Sequence, residues 1–403
     1  MLEEFCYNKR MDKKKVAVIF GGISPEHEVS VITGLQALEN LDKDKFIGIP
    51  VYVSKDGELF TGNELLKIET YRNLLEIPQK SQRAQPYLDN KEKGIQPVSS
   101  SLISLRQKIV DIDVIFPCFH GGVGENGAFQ GFFDLTNIPY VGSGVLGSAV
   151  GFDKIATKQL FAQAGLSITK YYWFYCTSWE KDQTRVLKEI KQKLSLPLFV
   201  KPANAGSSIG VAKAKNDDEL QNAIEVALLF DRKIIVEEAF EGREINISVL
   251  GNSGSELETS VCEEVFPSKD LLSYDDKYNS ENGKTKGMAS TSRKIPADLT
   301  PEIEAKIQSM AKLAYQALDC AGLARIDFMF NEKTNEIIIL EINTIPGSLS
   351  FYLWEPKGVK FKKLLTRLIE LALERHEEAQ KLTTSFPTNI LANFNPKGKA
   401  SKI

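Results

Sequence analysis

What the sequence lacks narrows the reading first. Its five cysteines, Cys6, Cys118, Cys176, Cys262 and Cys320, are odd in number and widely spaced. No CxxC pair or Cys/His cluster occurs, so neither a disulfide framework nor a structural zinc site is indicated, and reduced thiols in a cytosolic protein are expected. A dominant charge is missing too: 50 Lys+Arg stand against 53 Asp+Glu, which offers nothing to nucleic acid or an anionic membrane. Long apolar runs are also missing. Val16–Phe20 is too short for the core of a signal peptide, and no stretch approaches the ~20 residues that cross a bilayer. The expectation is a cytoplasmic chain with neither membrane nor nucleic-acid partner. At 403 residues, 42% of them hydrophobic, it is long enough for two or three domains with a real core.

What is present alternates as an α/β protein does. Lys15–Phe20, then Gly21-Gly22, then Val29–Leu41 read as a buried strand, a glycine turn and a helix. Phe46–Val53 and Asp113–Phe119 read as further strands, the second leading into a glycine-rich turn, His120–Gly127, and a helix. Between them, about Gly62 to Ser104 is polar without a sustained period, and a helix with an irregular insertion is expected there. Leu198–Lys201 and Val211–Ala214 flank a glycine–serine tip and predict a hairpin with a flexible loop. Lys233–Glu237 predicts a strand, 268–293 a long polar loop, and Pro301–Asp319 and Phe361–Gln380 helices. Ala324–Phe330 and Glu336–Asn343 predict a hairpin, and the tail from Lys381 is expected to be loose.

The hairpin is the most informative segment. If its turn centres on Lys333, Arg325 lies roughly opposite Glu341, and alternation gives Arg325, Asp327, Glu341 and Asn343 one face, which a register slip of two preserves. Two carboxylates and an amide oxygen suit Mg²⁺, and a guanidinium can neutralise a transferring phosphoryl group. A plain ladder of ion pairs on a solvated sheet is the alternative. Lys201–Gly210 combines a fixed positive charge with small residues and the hydroxyls of Ser207 and Ser208, which suits phosphate oxygens, but a mobile turn would look the same. Glu237 ends a strand whose following main chain could meet an adenine edge, and Glu244 could accept from ribose hydroxyls. Alone they make an acidic surface loop. Glu26, at the carboxyl end of the first strand, could hold a substrate ammonium.

In this order the segments resemble the D-alanine–D-alanine ligases of the ATP-grasp group, from about Lys15 to about Leu373. The resemblance rests on GGISPEHEVS, FHGGVGENGAFQG, GFDKIATKQLFAQAGL, VKPANAGSSIGV, VEEAFEGREI, YDDKY, RIDFMF and EINTIPG. It implies an ATP-grasp fold: an N-terminal parallel-sheet (preATP-grasp) substrate-binding domain over 1–142, and two α+β subdomains over 143–236 and 237–403 that sandwich ATP. It implies ligation of two D-alanines to D-alanyl-D-alanine through an acyl phosphate, for peptidoglycan precursor synthesis. Lys154, Lys201 and Ser208 fall on the ATP phosphates, with Lys277 on the loop 268–293, read as a lid. Glu237, Glu238 and Phe240 fall near the adenine, and Glu244 on the ribose. Asp327, Glu341 and Asn343 fall on two Mg²⁺ ions, for which Mn²⁺ could substitute. Arg325 and the backbone at Gly347 fall on the oxyanion of the intermediate. Glu26 and His120 fall around the first amino acid, with Ser207 and Tyr278 hydrogen-bonded to Glu26. A homodimer is also implied, and Val29–Leu41 is a stretch that would pair.

One segment departs from the family pattern. Where the resemblance places a Ser-Leu pair on the second substrate's carboxylate, this chain has Tyr352 and Leu353, with one extra residue before Pro356. Ser350 could stand in through a shifted backbone. Local repacking with the same substrate and a changed acceptor, another small D-amino acid or a hydroxy acid, both remain open. A third reading, a nucleotide-binding regulator that has lost catalysis, conflicts with the retained Arg325, Asp327, Glu341, Asn343, Lys154 and Lys201.

Overall fold

The computed structural model describes residues 13–88, 93–98, 109–266 and 292–389. Most of the loop 268–293, including Lys277 and Tyr278, lies outside the described residues, as does the tail from 390.

Three sheets carry the fold. The first holds β1 (Lys14–Gly21), β2 (Phe46–Val53), β3 (Leu59–Thr61), β4 (Gln82–Leu88), β5 (Lys93–Pro97), β6 (Val110–Asp111) and β7 (Val114–Pro117), in the spatial order β6-β5-β4-β3-β2-β1-β7. β1 runs parallel to β2 and to β7, and the helix His27–Asn40 connects β1 to β2. Val16, Val18 and Phe20 belong to one core, and Ala17 and Ile19 to another. A strand buried on both faces reads as a continuous apolar run for that reason.

The insertion differs from the sequence expectation. Among the described residues of the insertion only 63–80 forms short helical turns, while β3, β4 and β5 extend the sheet through antiparallel pairs. These strands are polar, anchored by Phe60, Ala84 and Ile95, so too few buried positions exist to show a period of two.

The second sheet holds β8 (Tyr171–Tyr175), β9 (Leu198–Pro202), β10 (Ala212–Ala214) and β11 (Lys233–Glu238), in the order β10-β9-β11-β8. Val186, Ile190, Leu220 and Ile224 of two covering helices pack on it. The third sheet holds β12 (Arg243–Asn252), β13 (Glu258–Thr259), β14 (Glu263–Phe266), β15 (Ser292–Lys294), β16 (Ala321–Asn331) and β17 (Glu336–Asn343). Its order is β15-β14-β12-β16-β17, with β13 on β12. Ile307, Ala311 and Ala314 of the helix Pro301–Ala317 share a core with its inner side chains.

The cores do not follow cuts at 142 and 236. Phe161 and Leu166 pack into the core of the third sheet. Leu364, Leu365 and Leu368 of the helix Phe361–Gln380 enter the core of the first. Arg375 of that helix donates to the Tyr140 carbonyl at 3.0 Å and lies over the Tyr140 ring. Hydrophobic periodicity identifies the buried face of a helix but not the sheet that receives it. Among the described residues no helix is long and apolar enough to cross a membrane.

The helix His27–Asn40 lies so close to β1 that a Cβ at Gly34 would come within 2.4 Å of the Phe20 ring. That ring is packed against Tyr52 and Tyr71 and has little room to yield. Gly34→Ala is expected to cost about 1–3 kcal/mol as an overpacked core. Calorimetry checks it: a lowered unfolding midpoint is expected, and an unchanged one would show that Phe20 moves aside freely.

Candidate functional site

The β16–β17 hairpin sets the site. Its register is shifted by two from the simplest sequence expectation: Arg325 opposes Asn343, and Asp327 opposes Glu341. The turn contributes one residue of this shift, since Asn331 opposes Glu336, and a bulge contributes the other. Pairing runs from the turn as far as Phe328 with Ile339, Leu340 is left over, and pairing resumes at Asp327 with Glu341. The four expected residues therefore share one face, and β12 and β14 prolong it. Asp327 opposes Asn246, which opposes Glu263, so Glu341, Asp327, Asn246 and Glu263 form one row across four strands. Glu244 stands one pair along from Asn246, opposite Met329.

Charges on this face are closely coupled. Arg325 donates from Nε and Nη2 to the two oxygens of Asp327, both at 2.7 Å. Burial still pushes the Asp327 carboxyl above its usual range. Burial would do the same to Glu341, but Lys154, Lys201 and Arg325 outweigh it and hold that carboxyl low. Lys154 Nζ lies 3.7 Å from Glu341 and donates to the Ala205 carbonyl at 2.7 Å. Burial and the neighbouring Asp327 push Glu244 up to about 7. Asp327, Glu341 and Asn343 offer oxygen donors of the type a hard divalent cation takes, too few for a closed cage. Among the described residues no group of three His, Cys, Asp or Glu side chains converges to hold an ion unaided. The opposed Asp327 and Glu341 carboxylates repel, and a divalent cation would relieve that repulsion.

Next to this face lies a buried trio. Lys201, on β9, donates to Glu237 of β11 at 2.9 Å, and Lys158 Nζ lies 3.3 Å from the other Glu237 oxygen. Burial alone would raise the Glu237 carboxyl, but Lys158 and Lys201 bring it down to about 2. Lys158 also donates to Thr169 at 3.0 Å. The Glu237 side chain thus holds lysines, leaving only its backbone for the adenine contact expected from sequence. Glu238, on the opposite face of β11, accepts from the Ser195 N–H at 2.9 Å, away from the trio. Phe240 is half-buried in the turn that follows.

The glycine–serine loop after β9 is anchored by Asn204, whose backbone N–H and side-chain amide both donate to Asp231, at 2.7 and 2.9 Å. Its tip is left-handed at Ser207 and Ser208, with φ of 49° and 59°. The Ser207 hydroxyl donates to Glu26. A Cβ at Gly206 or Gly121 would lie 2.3 or 2.7 Å from the Glu26 carboxylate, so both loops approach it as only glycine allows. Glu125 accepts from the Gly121 N–H at 2.6 Å, and burial, then Glu26, pushes it up to about 8. Burial pushes His120 down to about 4, which keeps the ring neutral at neutral pH. It shares a hydrogen bond of 2.8 Å with Thr33, whose hydroxyl also accepts from the Ser348 N–H at 3.2 Å.

That last contact ties down the turn Gly347–Leu353. Ser348, Leu349 and Ser350 are all left-handed, with φ of 50°, 53° and 46°. Such residues cost of order 1–3 kcal/mol each and persist where surrounding structure enforces them. Ser350 is wholly buried, and its hydroxyl has no hydrogen-bond partner among the described residues. Tyr352 reaches Glu263, at 3.3 Å, while Leu353 is wholly buried in the core of the first sheet.

The structure thus groups Glu26 with Ser207, and Lys154, Lys201 and Glu237 with Arg325, Asp327, Glu341, Asn343 and Glu244. It sends Glu238 and Leu353 elsewhere. Sequence reasoning missed Lys158, Thr33, Glu125 and Glu263. The spacing of Lys154 and Lys158, one helical turn apart, is the signal that would have found the first. For the other three no local pattern exists.

The family model described as "D-ala D-ala ligase N-terminus" matches residues 15–143, and "D-ala D-ala ligase C-terminus" matches 160–370. A D-alanine--D-alanine ligase of Geobacillus thermodenitrificans is 42% identical over 378 residues, 93% of this chain and 99% of the relative. Among solved structures, the VanG D-Ala:D-Ser ligase of Enterococcus faecalis is 34% identical with a TM-score of 0.75, covering 89% of this chain and 99% of that one. The D-alanine-D-alanine ligase of Coxiella burnetii is 27% identical with a TM-score of 0.77, covering 92% and 96%. The chain belongs to the D-alanine–D-alanine ligase family.

Proposed function

We propose that this chain joins two D-alanines to D-alanyl-D-alanine at the expense of ATP, through an acyl phosphate, in peptidoglycan precursor synthesis. The observation that carries the reading is the shared face of Arg325, Asp327, Glu341 and Asn343, bordered by Lys154 and Lys201. Lys154 and Lys201 take the triphosphate, and Glu237 fixes the position of Lys201. Asp327, Glu341 and Asn343 would hold Mg²⁺, which when bound offsets phosphate charge. Glu26, oriented by Ser207, receives the ammonium of the first D-alanine. The carboxylate of that substrate attacks the γ-phosphorus, forming the acyl phosphate and releasing ADP. The neutral amine of the second D-alanine then attacks the acyl carbon. Arg325 uses two of its five donors on Asp327 and turns the rest, with the Gly347 backbone N–H, toward the oxyanion until phosphate leaves. Ser207 forms no covalent bond in this scheme.

A second reading keeps the donor and changes the acceptor. It is favoured by Tyr352, which stands where the family resemblance puts a serine. Phosphate release from ATP and Mg²⁺, with D-alanine alone and with a panel of acceptors, tests both readings once products are identified by mass. D-alanine alone should suffice and yield the dipeptide. Turnover only with another acceptor would overturn the first reading, and no turnover with any amino acid would overturn both.

Arg325→Ala should lower amino-acid-dependent turnover by ~10²–10³-fold or more, as expected when a donor to a developing oxyanion is lost. Glu341→Ala should abolish it, and unchanged turnover in either variant would remove that residue from the site. Glu237→Gln would leave Lys158 buried without its counter-charge, at a cost of about 3–5 kcal/mol. The Glu237 carboxyl is depressed from 4.5 to about 2, so its stabilisation is present above about pH 4.5 and is lost as pH falls toward 2. Denaturant melts between pH 7 and pH 3 should show the variant losing less stability on acidification than the native chain. Parallel losses would mean the trio contributes nothing.

A further inference from the structure

One side chain joins two distant parts of the site. Thr33, wholly buried in the helix His27–Asn40, reaches the turn that begins at Gly347. Its hydroxyl accepts from the Ser348 N–H at 3.2 Å and lies 2.8 Å from His120 Nε2. The other side of the ring fixes the roles in that second contact. The Ile345 backbone is also hydrogen-bonded to His120. The Ile345 N–H already donates to the Asn343 side chain at 3.1 Å, so its carbonyl is the group that meets the ring, and the ring donates there. A neutral imidazole has one donor and one acceptor. Nδ1 therefore carries the proton, Nε2 accepts, and the Thr33 O–H donates to it.

These bonds grip one short stretch of backbone from both ends. His120 holds Ile345 and Thr33 holds Ser348, with Pro346 and Gly347 between them. The Leu349 N–H closes the turn on the Pro346 carbonyl at 2.8 Å. Gly347 is buried, and its N–H is the group assigned above to the oxyanion, together with Arg325. Arg325 lies near enough to His120 to act on the ring's charge, so the grip sits next to the other half of that oxyanion site. The ring is only 4% exposed and both nitrogens are engaged, which leaves no polar atom for the first amino acid. An oxyanion donor must be fixed before charge develops, and a displacement of about 1 Å can cost on the order of 10²-fold in rate. The left-handed residues that follow, Ser348 to Ser350, hold such a position only where their surroundings enforce it.

We propose that Thr33 and His120 are positioning residues, a hydrogen-bonded clamp reaching from the first sheet that aims the Gly347 N–H at the oxyanion. His120 thus serves the intermediate through the backbone and does not touch the first D-alanine. The proposal rests on the ligase reading and adds the groups that hold its oxyanion site in place.

Thr33→Val removes the hydroxyl at nearly constant volume, and Thr33→Ser keeps it. Turnover with ATP, Mg²⁺ and D-alanine is counted per ADP-binding site, so chains that fail to fold drop out. Thr33→Val should lower kcat by about tenfold to a hundredfold with KM for ATP unchanged within about twofold, and Thr33→Ser should recover most of the loss. His120→Phe should lower kcat comparably, and adding it to Thr33→Val should cost little more, because the two act as a unit. The chain has three histidines, so nitrogen NMR of the rings reports the contact directly. Thr33→Val should move one of the three ring signals, from a ring that in the native chain is neutral at pH 7 with its proton on Nδ1. A native kcat in Thr33→Val, an equal loss in the valine and serine variants, or losses that multiply in the double variant would overturn the proposal and leave the ligase reading intact. Ring signals that all stay in place would do the same. A native chain whose ATP turnover needs no amino acid would overturn the ligase reading, and the proposal with it.

Discussion

Leu340 is one residue more than the β16–β17 hairpin needs, and the chemistry of the face depends on it. On the turn side of the bulge, Phe328 and Phe330 share a buried face with Ile339 and Ile337. If that pairing continued unbroken, Glu341 would oppose Ile326 and Asn343 would oppose Ala324, both wholly buried. A carboxylate and an amide would then enter the apolar core, at several kcal/mol for each unpaired group. The extra residue reverses the parity, so the core remains apolar and the polar groups gather on the other side. One strand thereby serves a hydrophobic layer along its first half and a polar face along its second.

Strain elsewhere is concentrated around the same surface. Two serines at the tip of the loop after β9 and three residues after Gly347 adopt left-handed conformations without being glycine. Each loop is fixed from outside itself, the first by Asn204 on Asp231 and Ser207 on Glu26, the second by Ser348 on Thr33. These anchors come from different sheets, so the strained backbone persists only when the three sheets are assembled. Site geometry and global packing are therefore coupled, most directly through Thr33, which touches both His120 and the Ser348 amide.

Legibility in the sequence followed the range of the interaction. The α/β alternation, the parallel opening and the polar hairpin face were readable because each rests on a local period or a short turn. The bulge was not readable; the four residues Arg325, Asp327, Glu341 and Asn343 stay together because turn and bulge each add one residue, and a slip of two in total preserves the shared face. The strands of the insertion were missed because Phe60, Ala84 and Ile95 are too sparse to display alternation. The destination of the helix Phe361–Gln380 was missed because its apolar stripe fits any partner. Glu263, Glu125 and Thr33 were missed because their significance arises only where distant segments meet. That the Glu237 carboxylate pairs with Lys158 and Lys201 was not legible, because the pairing needs the contact between a helix and two strands.

The lengths of the ion pairs separate scaffold from ligand surface. Arg325 with Asp327 at 2.7 Å and Lys201 with Glu237 at 2.9 Å are closed, charge-assisted pairs. Breaking either leaves a largely buried charge uncompensated, so these pairs hold the site in shape. Lys154 with Glu341, at 3.7 Å, is longer than either. An anion would take the lysine from this longer pair at less cost than from a closed one. The face therefore combines closed pairs, where charge stays fixed, with a longer pair at the Lys154 side, where charge is more easily exchanged.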